Sequence, residues 1–434
     1  MKKKLVCCCT FILVLTIASS AFAGGVVNRT NWSAEYIRTM NRNAATDYAD
    51  IVFYNPAGTV HLDRGGYLNV SAHYFPKYYE NNIKSGPFAG SYESDEPSLV
   101  PGVFTAYNAG RWALFFGVSN TLGGGKVDFD DGSLRTALIG LQTRSAVRGM
   151  LGVDDYEIVS QQIKAESYAP GYMVGGALQL TDNVSVSMGM RYIDASQKAK
   201  GRVTFGSDVA PDYDAEIDYE WDAKGVGAIF GINYTPSGDT TLAARYETRT
   251  SLNYRYTINS EEPIGLTVLG EQGVEDGTRR RQDLPASLGL GISHQFLPQL
   301  RAETNLTYYF NSDADWDGDE KKFHDGFDAG VALEYAFTPE LKGSMGYMYT
   351  NIGLKSQHAK DIYANLPENP NLDAHTIGLG SAYQYSDNLA FNAGIGGAFY
   401  VDDDITTPVG DVDYEVDYEK TIYFLALGFQ YKFL

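Results

Sequence analysis

The chain ends on the stretch Lys420-Thr-Ile-Tyr-Phe-Leu-Ala-Leu-Gly-Phe-Gln-Tyr-Lys-Phe-Leu434, in which apolar residues alternate with small or polar ones. Backbone groups inside a bilayer need partners within the protein, so a membrane-spanning sheet must close into a barrel. The side of such a sheet toward lipid is apolar and the lumen side can be polar, which imposes a period of two. The stretch therefore predicts a strand of a transmembrane antiparallel β-barrel, an all-β fold. The predicted lipid-facing residues are Tyr423, Leu425, Leu427, Phe429, Tyr431 and Phe433.

The first residues indicate secretion. Lys2, Lys3 and Lys4 precede an apolar run from Leu5 to Ile17, and Ala21-Phe-Ala23 has the small-x-small pattern of a cleavage site. This pattern predicts a signal peptide over residues 1–23, cleaved after Ala23. The 3 cysteines, Cys7, Cys8 and Cys9, lie inside it. We therefore expect a mature chain without a disulfide or a thiolate metal site.

Composition narrows the class of protein further. The chain has 46 Gly, 32 Tyr and 21 Phe, which suits strands with aromatic girdles at the two membrane interfaces. No apolar run of about 18 residues follows the signal peptide, which excludes a helical membrane protein. Without the three N-terminal lysines, 31 basic residues face 54 acidic ones, a net charge of −23. Such an acidic chain is not expected to bind nucleic acid.

Short turns alternate with longer polar stretches along the rest of the chain. Six turns rich in Pro, Gly, Asn and Asp and seven longer loops predict fourteen strands over residues 67–434. Short turns face the periplasm in bacterial barrels, so the longer loops are expected outside. The predicted strands are about 67–80, 99–108, 111–119, 166–180, 183–204, 214–235, 240–257, 284–297, 300–310, 327–337, 341–354, 374–386, 389–401 and 420–434. A mixed helix is expected over 134–150, within the loop 120–165.

Residues 24–66 do not have the strand pattern. Ala34, Ile37, Met40 and Ala44 have roughly helical spacing from Ser33 to Ala49, with Ser33 as the cap. The segment is too polar to face lipid, and the lumen of a fourteen-strand barrel is too wide for side chains alone to fill. We predict a small helical plug inside the barrel. A frayed periplasmic tail is the alternative.

The run from Asn41 to Gly58 carries a family resemblance. Phe53-Tyr-Asn-Pro-Ala-Gly58, just before the first predicted strand, resembles the plug motif of the FadL family of outer-membrane transporters for long-chain fatty acids and other hydrophobic compounds. Leu284-Pro-Ala-Ser287 is also similar to that family. The motif residues are Phe53, Tyr54, Asn55, Pro56, Ala57 and Gly58.

The resemblance implies passive diffusion through a plugged fourteen-strand barrel, with the ligand leaving sideways through the wall. The exit would lie beside an inward kink of the third strand, Arg111–Ser119 in this sequence. Gly117 and Gly123 are the candidate kink residues. In the alternative interpretation, these glycines serve only the loop. The implied cargo is a long-chain fatty acid or a hydrocarbon, and the implied surroundings are outer-membrane lipid and lipopolysaccharide. We expect a monomer in the outer membrane of a Gram-negative-type bacterium.

Alternation within the predicted strands puts several arginines on the lumen side beside carboxylates. One interpretation is a ladder of satisfied Arg–carboxylate pairs that fills the barrel. In the other, one arginine binds a ligand carboxylate through a bidentate contact. The candidates are Arg191, Arg245, Arg249 and Arg301.

Apolar residues within the predicted outer loops have two interpretations, an initial capture groove or a small loop core. They are Leu134, Leu138, Ile139 and Leu141 in the second loop, and Ile264, Leu266, Val268 and Leu269 in the fourth.

The sequence gives only weak support for a metal site or a catalytic site. The acidic loop 313–319 resembles the start of an EF-hand, but its twelfth position is His324 rather than the bidentate Glu. The 6 histidines show no metal spacing, and no nucleophile or phosphate-binding motif is present, so we expect no catalytic residues, metal or cofactor. A general porin or surface adhesin remains the alternative function, followed by a barrel-type outer-membrane hydrolase.

Overall fold

The computed structural model describes residues 33–355, 368, 370–409 and 412–433, so the predicted signal peptide lies outside the described residues. Within these ranges the chain forms nineteen strands, three α-helices and four 3₁₀-helices. The helices are α1 (Ala34–Thr39), α2 (Leu134–Leu151) and α3 (Pro263–Glu271), and the 3₁₀-helices span Ala49–Phe53, Pro56–His61, Asn311–Asp313 and Asp319–Lys322. The strands are β1 (Gly65–Phe75), β2 (Lys77–Ile83), β3 (Gly90–Ser94), β4 (Ser98–Asn108), β5 (Trp112–Phe129), β6 (Glu157–Thr181), β7 (Val184–Gly206), β8 (Tyr213–Ser237), β9 (Thr240–Glu247), β10 (Asn253–Ile258), β11 (Arg279–Arg281), β12 (Ser287–Leu297), β13 (Leu300–Tyr309), β14 (Gly326–Ala336), β15 (Leu341–Asn351), β16 (Ala374–Ser386), β17 (Leu389–Tyr400), β18 (Asp403–Val409) and β19 (Val412–Phe433).

Fourteen of these strands form a closed antiparallel ring. In spatial order they are β1, β4, β5, β6, β7, β8, β9, β12, β13, β14, β15, β16, β17 and β19, and β19 pairs again with β1. The seam joins Gly66 to Phe433, so the terminal strand closes the barrel as its alternation predicts. The predicted fourteen-strand transmembrane barrel is confirmed. The other five strands, β2, β3, β10, β11 and β18, extend the sheet on the side of the longer loops.

Several strands are longer than predicted on that same side. β5 runs to Phe129 and β6 begins at Glu157, so the predicted loop 120–165 is wrong in extent, although its helix is present as α2. β19 begins at Val412 because its first half pairs with β2 and β18 rather than with the ring. The extended ends of these strands have no continuous row of apolar residues for contact with lipid, because they lie beyond the ring.

The wall has an apolar outer surface and a polar inner one. On β7, Met188 and Met190 are exposed, whereas Ser185, Ser187 and Arg191 between and beside them are buried. Tyr423, Leu425, Leu427, Tyr431 and Phe433 on β19 are exposed in the same way. Among the described helices, none has both the length and the apolar character needed to cross a membrane.

Residues 33–62, called here the N-terminal segment, lie inside the ring. Helix α1 packs against β14 to β17, β19 and β1, and the helix Pro56–His61 packs against β5 to β8. Ser33 caps α1 as predicted, since its hydroxyl accepts a hydrogen bond from the Tyr36 amide at 2.9 Å. The helix is shorter than predicted and ends at Thr39, because Met40 adopts a left-handed conformation with φ of 55°. The first strand begins at Gly65, two residues before the predicted boundary of the barrel.

Candidate functional site

The Asn-Pro-Ala turn packs against the wall at β7 and β8. Asn55 is fully buried, and its Oδ1 accepts a hydrogen bond from the Ala57 amide at 3.2 Å. Its Nδ2 donates to Asn233 Oδ1 at 2.7 Å, and Ser185 Oγ donates to the Ala57 carbonyl at 2.9 Å. Pro56 stands at the first position of the 3₁₀-helix, where its fixed φ and missing N–H have no cost. The turn is thus rigid and joined to the wall by polar bonds from both sides.

Close approach explains two glycines near this turn. A Cβ on Gly58 would lie 2.6 Å from the Ala45 carbonyl oxygen, and one on Gly231 would lie 2.3 Å from Asn55 Oδ1. Because such distances are well below van der Waals contact, Gly58 lets the N-terminal segment fold closely on itself, and Gly231 lets the wall approach Asn55. Phe53 and Tyr54 turn toward the lumen, where Tyr54 stacks on Tyr36 at 5.5 Å.

The predicted ligand-binding arginines Arg191 and Arg245 both bind Glu247. Arg191 Nη2 lies 2.5 Å and Arg245 Nη2 lies 2.8 Å from a Glu247 oxygen, and all three side chains are buried. Arg245 Nη1 also donates to the carbonyls of Phe53 at 2.9 Å and Tyr54 at 2.7 Å. One lumen arginine therefore holds the N-terminal segment against β9.

Arg301 belongs to a second ion-pair cluster. It lies 3.4 Å from both Glu303 and Glu334, and 3.9 Å from Asp47 of the N-terminal segment. Arg249 is apart from both clusters, half-exposed among the outer loops, where it pairs with Asp283 at 3.4 Å and donates to the Asp313 carbonyl. Each of the four candidate arginines thus meets a carboxylate of the protein itself.

Sequence reasoning missed two further arginines, Arg38 and Arg42, which are fully buried in the N-terminal segment. Arg38 bonds Glu334, while Arg42 bonds Asp47 at 2.7 Å and Asp50 through Nε at 2.9 Å. Burial alone would raise the pKa of Asp47, but the charges of Arg42, Arg301 and Arg38 outweigh it and hold that pKa well below the usual range. The signal in the sequence was two arginines four residues apart, followed by two aspartates, in a segment predicted to be enclosed.

A small space, called here the inner chamber, lies above the N-terminal segment. It has a volume of about 40 Å³, enough for a few waters or the polar end of a ligand. Three buried donors on its wall have no partner among the described residues: Thr121 Oγ1, Arg191 Nε and Arg245 Nε. Tyr36, Phe53, Tyr54 and Met348 give the chamber an aromatic and thioether side. The chamber therefore offers hydrogen bonds to an acceptor beside an apolar surface.

β5 separates from β4 close to this chamber. The two strands pair from Ala113 to Val118, and beyond that point Ser98–Gly102 of β4 pair with β1 but not with β5. The bend of β5 follows from two register shifts toward β6 and from positive φ at Gly123 (62°) and Gly124 (103°). Residues 119–125 are buried throughout, whereas the strand before them alternates. Gly117 lies at the start of the bend, where a Cβ would meet Phe53 at 2.8 Å.

The apolar loop residues lie on α2 and α3, which pack together outside the ring. Leu134 and Leu138 join a core with Ile83 and Tyr418, and Leu269 joins a larger core with Trp221 and Tyr254. A narrow space of about 40 Å³ remains between the two helices, lined in part by the predicted residues Ile139, Ile264 and Val268. Leu141 and Leu266 are exposed. The structure therefore contains both a small loop core and an apolar cleft between α2 and α3.

The acidic loop is held by basic residues of its neighbours. Arg281 Nη1 lies 3.4 Å from Asp315, and its amide donates to Asp317 at 2.7 Å, while Asp319 pairs with Arg280 at 3.1 Å. Within the described ranges, no group of three or more His, Cys, Asp or Glu side chains is placed to hold a metal ion.

Solved structures with this architecture include a Pseudomonas aeruginosa FadL homologue, with a TM-score of 0.70 and 16% identity over 95% of this chain and 100% of that one. The P. putida toluene transporter TodX gives a TM-score of 0.61 and 13% identity over 90% and 96% of the two chains. The Ralstonia pickettii toluene transporter TbuX gives 0.58 and 15% over 96% and 100%. Residues 279–405 match the sequence family described as MetA-pathway of phenol degradation. None of the curated proteins matches the chain. The predicted resemblance to FadL-type barrels is confirmed, and at these identities it establishes the fold.

Proposed function

We propose that this protein is an outer-membrane transporter of the FadL type, which moves hydrophobic compounds inward by passive diffusion without a cofactor. The observation that carries the proposal is the combination of a lumen filled by residues 33–62 with a wall in which β5 loses its backbone pairing to β4 beyond Val118. Water-soluble cargo would need an axial channel, whereas apolar cargo gains by leaving sideways into lipid. In this proposal residues 24–66 are the plug, and Gly117 and Gly123 shape the kink beside the exit.

We propose a neutral hydrocarbon, rather than a fatty acid, as the preferred cargo. All four candidate arginines are engaged by carboxylates of the protein, so a ligand carboxylate would compete with an existing ion pair for each of them. Such competition would weaken the compensation of the buried Glu247 or Glu334 carboxylate, which is costly. A neutral cargo needs only apolar contact, worth about 0.8 kcal/mol per buried CH₂. TodX and TbuX, two toluene transporters with the same architecture, support the same choice.

Long-chain fatty acids are the second candidate cargo, favoured by the inner chamber. The unpartnered Nε atoms of Arg191 and Arg245, with Thr121 Oγ1, could bind a carboxylate oxygen without breaking the pairs to Glu247. The chamber's volume of about 40 Å³ fits such a head group but not its chain. The cleft between α2 and α3 would serve either cargo as a first contact on the outer surface.

Uptake by intact cells tests the proposal. Cells with and without the protein in their outer membrane would be given labelled toluene, labelled oleate and a labelled hydrophilic disaccharide. The expected result is faster uptake of toluene, and more weakly of oleate, with unchanged disaccharide uptake. Equal acceleration of all three would indicate an open porin, and no acceleration of any would favour an adhesin. Release of fatty acid from added ester would instead indicate a hydrolase.

A further inference from the structure

Two separate polar cavities lie next to the N-terminal segment inside the barrel. The inner chamber lies above the N-terminal segment and includes Arg42 in its wall. A second cavity of about 250 Å³, called here the lower cavity, is lined by Asp47, His61, Asp387 and Lys432 among others. Asp387 belongs to the short turn between β16 and β17, and Lys432 stands near the end of β19. The lower cavity thus opens on the short-turn side, which faces the periplasm in bacterial barrels.

One ion pair separates the two cavities. Arg42 Nη1 and Asp47 Oδ1 are 2.7 Å apart, and Arg42 lines the inner chamber while Asp47 lines the lower cavity. The Arg42 side chain has no solvent exposure, and the Asp47 side chain is 25% exposed. This ion pair therefore joins a residue of one cavity wall to a residue of the other.

The surroundings make Asp47 the removable half of this pair. Arg42 keeps two further bonds to Asp50, at 2.9 Å from Nε and 2.5 Å from Nη2, and remains in place without Asp47. Asp47 also lies 3.9 Å from Arg38 and Arg301, which retain Glu334 as a partner. Loss of the Asp47 carboxylate would remove the lower-cavity carboxylate that pairs with Arg42, Arg38 and Arg301.

We propose that the Arg42–Asp47 pair is a seal that closes a polar axial path through the barrel to small hydrated ions. The lateral route for apolar cargo and this closed axial path are then separate features of one lumen. The inference rests on the proposed membrane position of the barrel, but not on the identity of its cargo.

Conductance across planar bilayers tests the seal. The wild-type protein is expected to give little steady current. Asp47→Ala is expected to raise the mean conductance on the order of tenfold and to favour anions, because removal of this carboxylate makes the charge beside Arg42 more positive. Asp387→Ala is the matched control, since it removes a carboxylate from the same cavity away from Arg42, and it should conduct as the wild type does. A folded Asp47→Ala protein with wild-type current, or an equal rise in both variants, would overturn the proposal.

Thiol labelling gives an independent measurement. The only cysteines are Cys7, Cys8 and Cys9, within the predicted signal peptide, so Thr307→Cys would place a single reporter on the inner chamber. A charged, membrane-impermeant thiol reagent added on the short-turn side should modify it slowly in the otherwise wild-type chain and far faster with Asp47→Ala. Equal rates in the two backgrounds contradict the seal. Toluene uptake by the same Asp47→Ala variant is expected to persist, so failure of the seal and failure of the proposed function give different results.

Discussion

At the residue scale, Asn55 determines whether the Asn-Pro-Ala turn keeps its shape. Asn55→Ala removes the cap on the Ala57 amide and leaves buried Asn233 without its donor. We expect the turn Pro56–His61 to lose about 1–2 kcal/mol of local stability. Hydrogen exchange of its amides in detergent measures this, with Asn183→Ala in an exposed turn as the control. Unchanged protection in Asn55→Ala would mean that the capping bond is unimportant.

Glu35 gives the N-terminal segment a dependence on pH. It is fully buried, and its Oε1 accepts hydrogen bonds from Asn69 at 2.6 Å and Asn392 at 2.9 Å. Burial, with a smaller contribution from the Asp50 charge, raises its pKa from 4.5 to about 7, although Arg42 opposes the shift. Because the folded pKa is the higher one, the stabilising contribution is complete below pH 4.5 and is lost as the pH rises through 7.

Glu35→Gln tests this dependence, since glutamine keeps an acceptor for both asparagines and cannot ionise. We expect the variant to hold α1 more firmly than the wild type at pH 8 and equally at pH 4. Hydrogen exchange of residues 34–45, corrected for the intrinsic effect of pH, is the measurement. Glu271→Gln on the exposed end of α3 is the matched control and should follow the wild type. A Glu35→Gln curve parallel to the wild-type curve would exclude Glu35 as the titrating group.

Alternation predicted the side of the wall for three of the four candidate arginines, but not their partners, and it was wrong for Arg249, which lies beyond the end of β9. Arg191, Arg245 and Arg301 do face the lumen. The contact of Arg245 with the Phe53 and Tyr54 carbonyls depends on how the N-terminal segment enters the ring, which no local pattern contains. Arg42 and Asp47 were unremarkable in the sequence for the same reason, since their importance comes from the cavities on either side.

At the element scale, β5 combines a strand that its own alternation predicts with a bend that only the family resemblance implied. The period of two identifies residues 112–118, but the burial of residues 119–125 arises from contacts across the lumen. The glycines of β5 indicated where the strand could bend, but not in which direction. Helix α1 shows a similar limit, because helical spacing continued past Thr39 while the left-handed Met40 ended the helix.

Gly123→Ala tests the bend of β5. A Cβ at this position would lie 2.5 Å from Ser167 Oγ and 2.9 Å from the Ser167 carbonyl oxygen, on a backbone with φ of 62°. The left-handed conformation costs a non-glycine residue about 1 kcal/mol even without these contacts. We therefore expect β5 to shift and toluene uptake to fall on the order of tenfold, with the barrel intact.

The matched control is Gly238→Ala, where a Cβ meets no atom within 4 Å. It should transport as the wild type does. Equal uptake by Gly123→Ala and the wild type, with both at the same level in the membrane, would show that the bend plays no part in transport.

At the scale of the whole molecule, the N-terminal segment depends on the barrel wall more than the wall depends on the segment. The ring closes through strand pairs alone, from β1 round to β19, and no contact of the N-terminal segment is part of that ladder. The segment, in contrast, has its polar groups bonded to wall residues such as Asn69, Asn233 and Glu334. Closure could be predicted from strand count and the terminal strand, because both are repeated local signals.

Deletion of residues 24–58 is therefore expected to leave a folded but open barrel. The wall keeps its hydrogen bonds, while Glu303 and Glu334 lose their partners in the segment, Arg245 loses the Phe53 carbonyl, and these groups become hydrated in a wider lumen. A hydrated lumen of this size conducts ions, as in porins. We predict large, steady channels in planar bilayers for the deletion, far above those of Asp47→Ala, together with the heat-dependent gel mobility of an intact barrel. Current equal to that of the wild type, from a barrel shown to be folded, would mean that residues 24–58 do not obstruct the lumen.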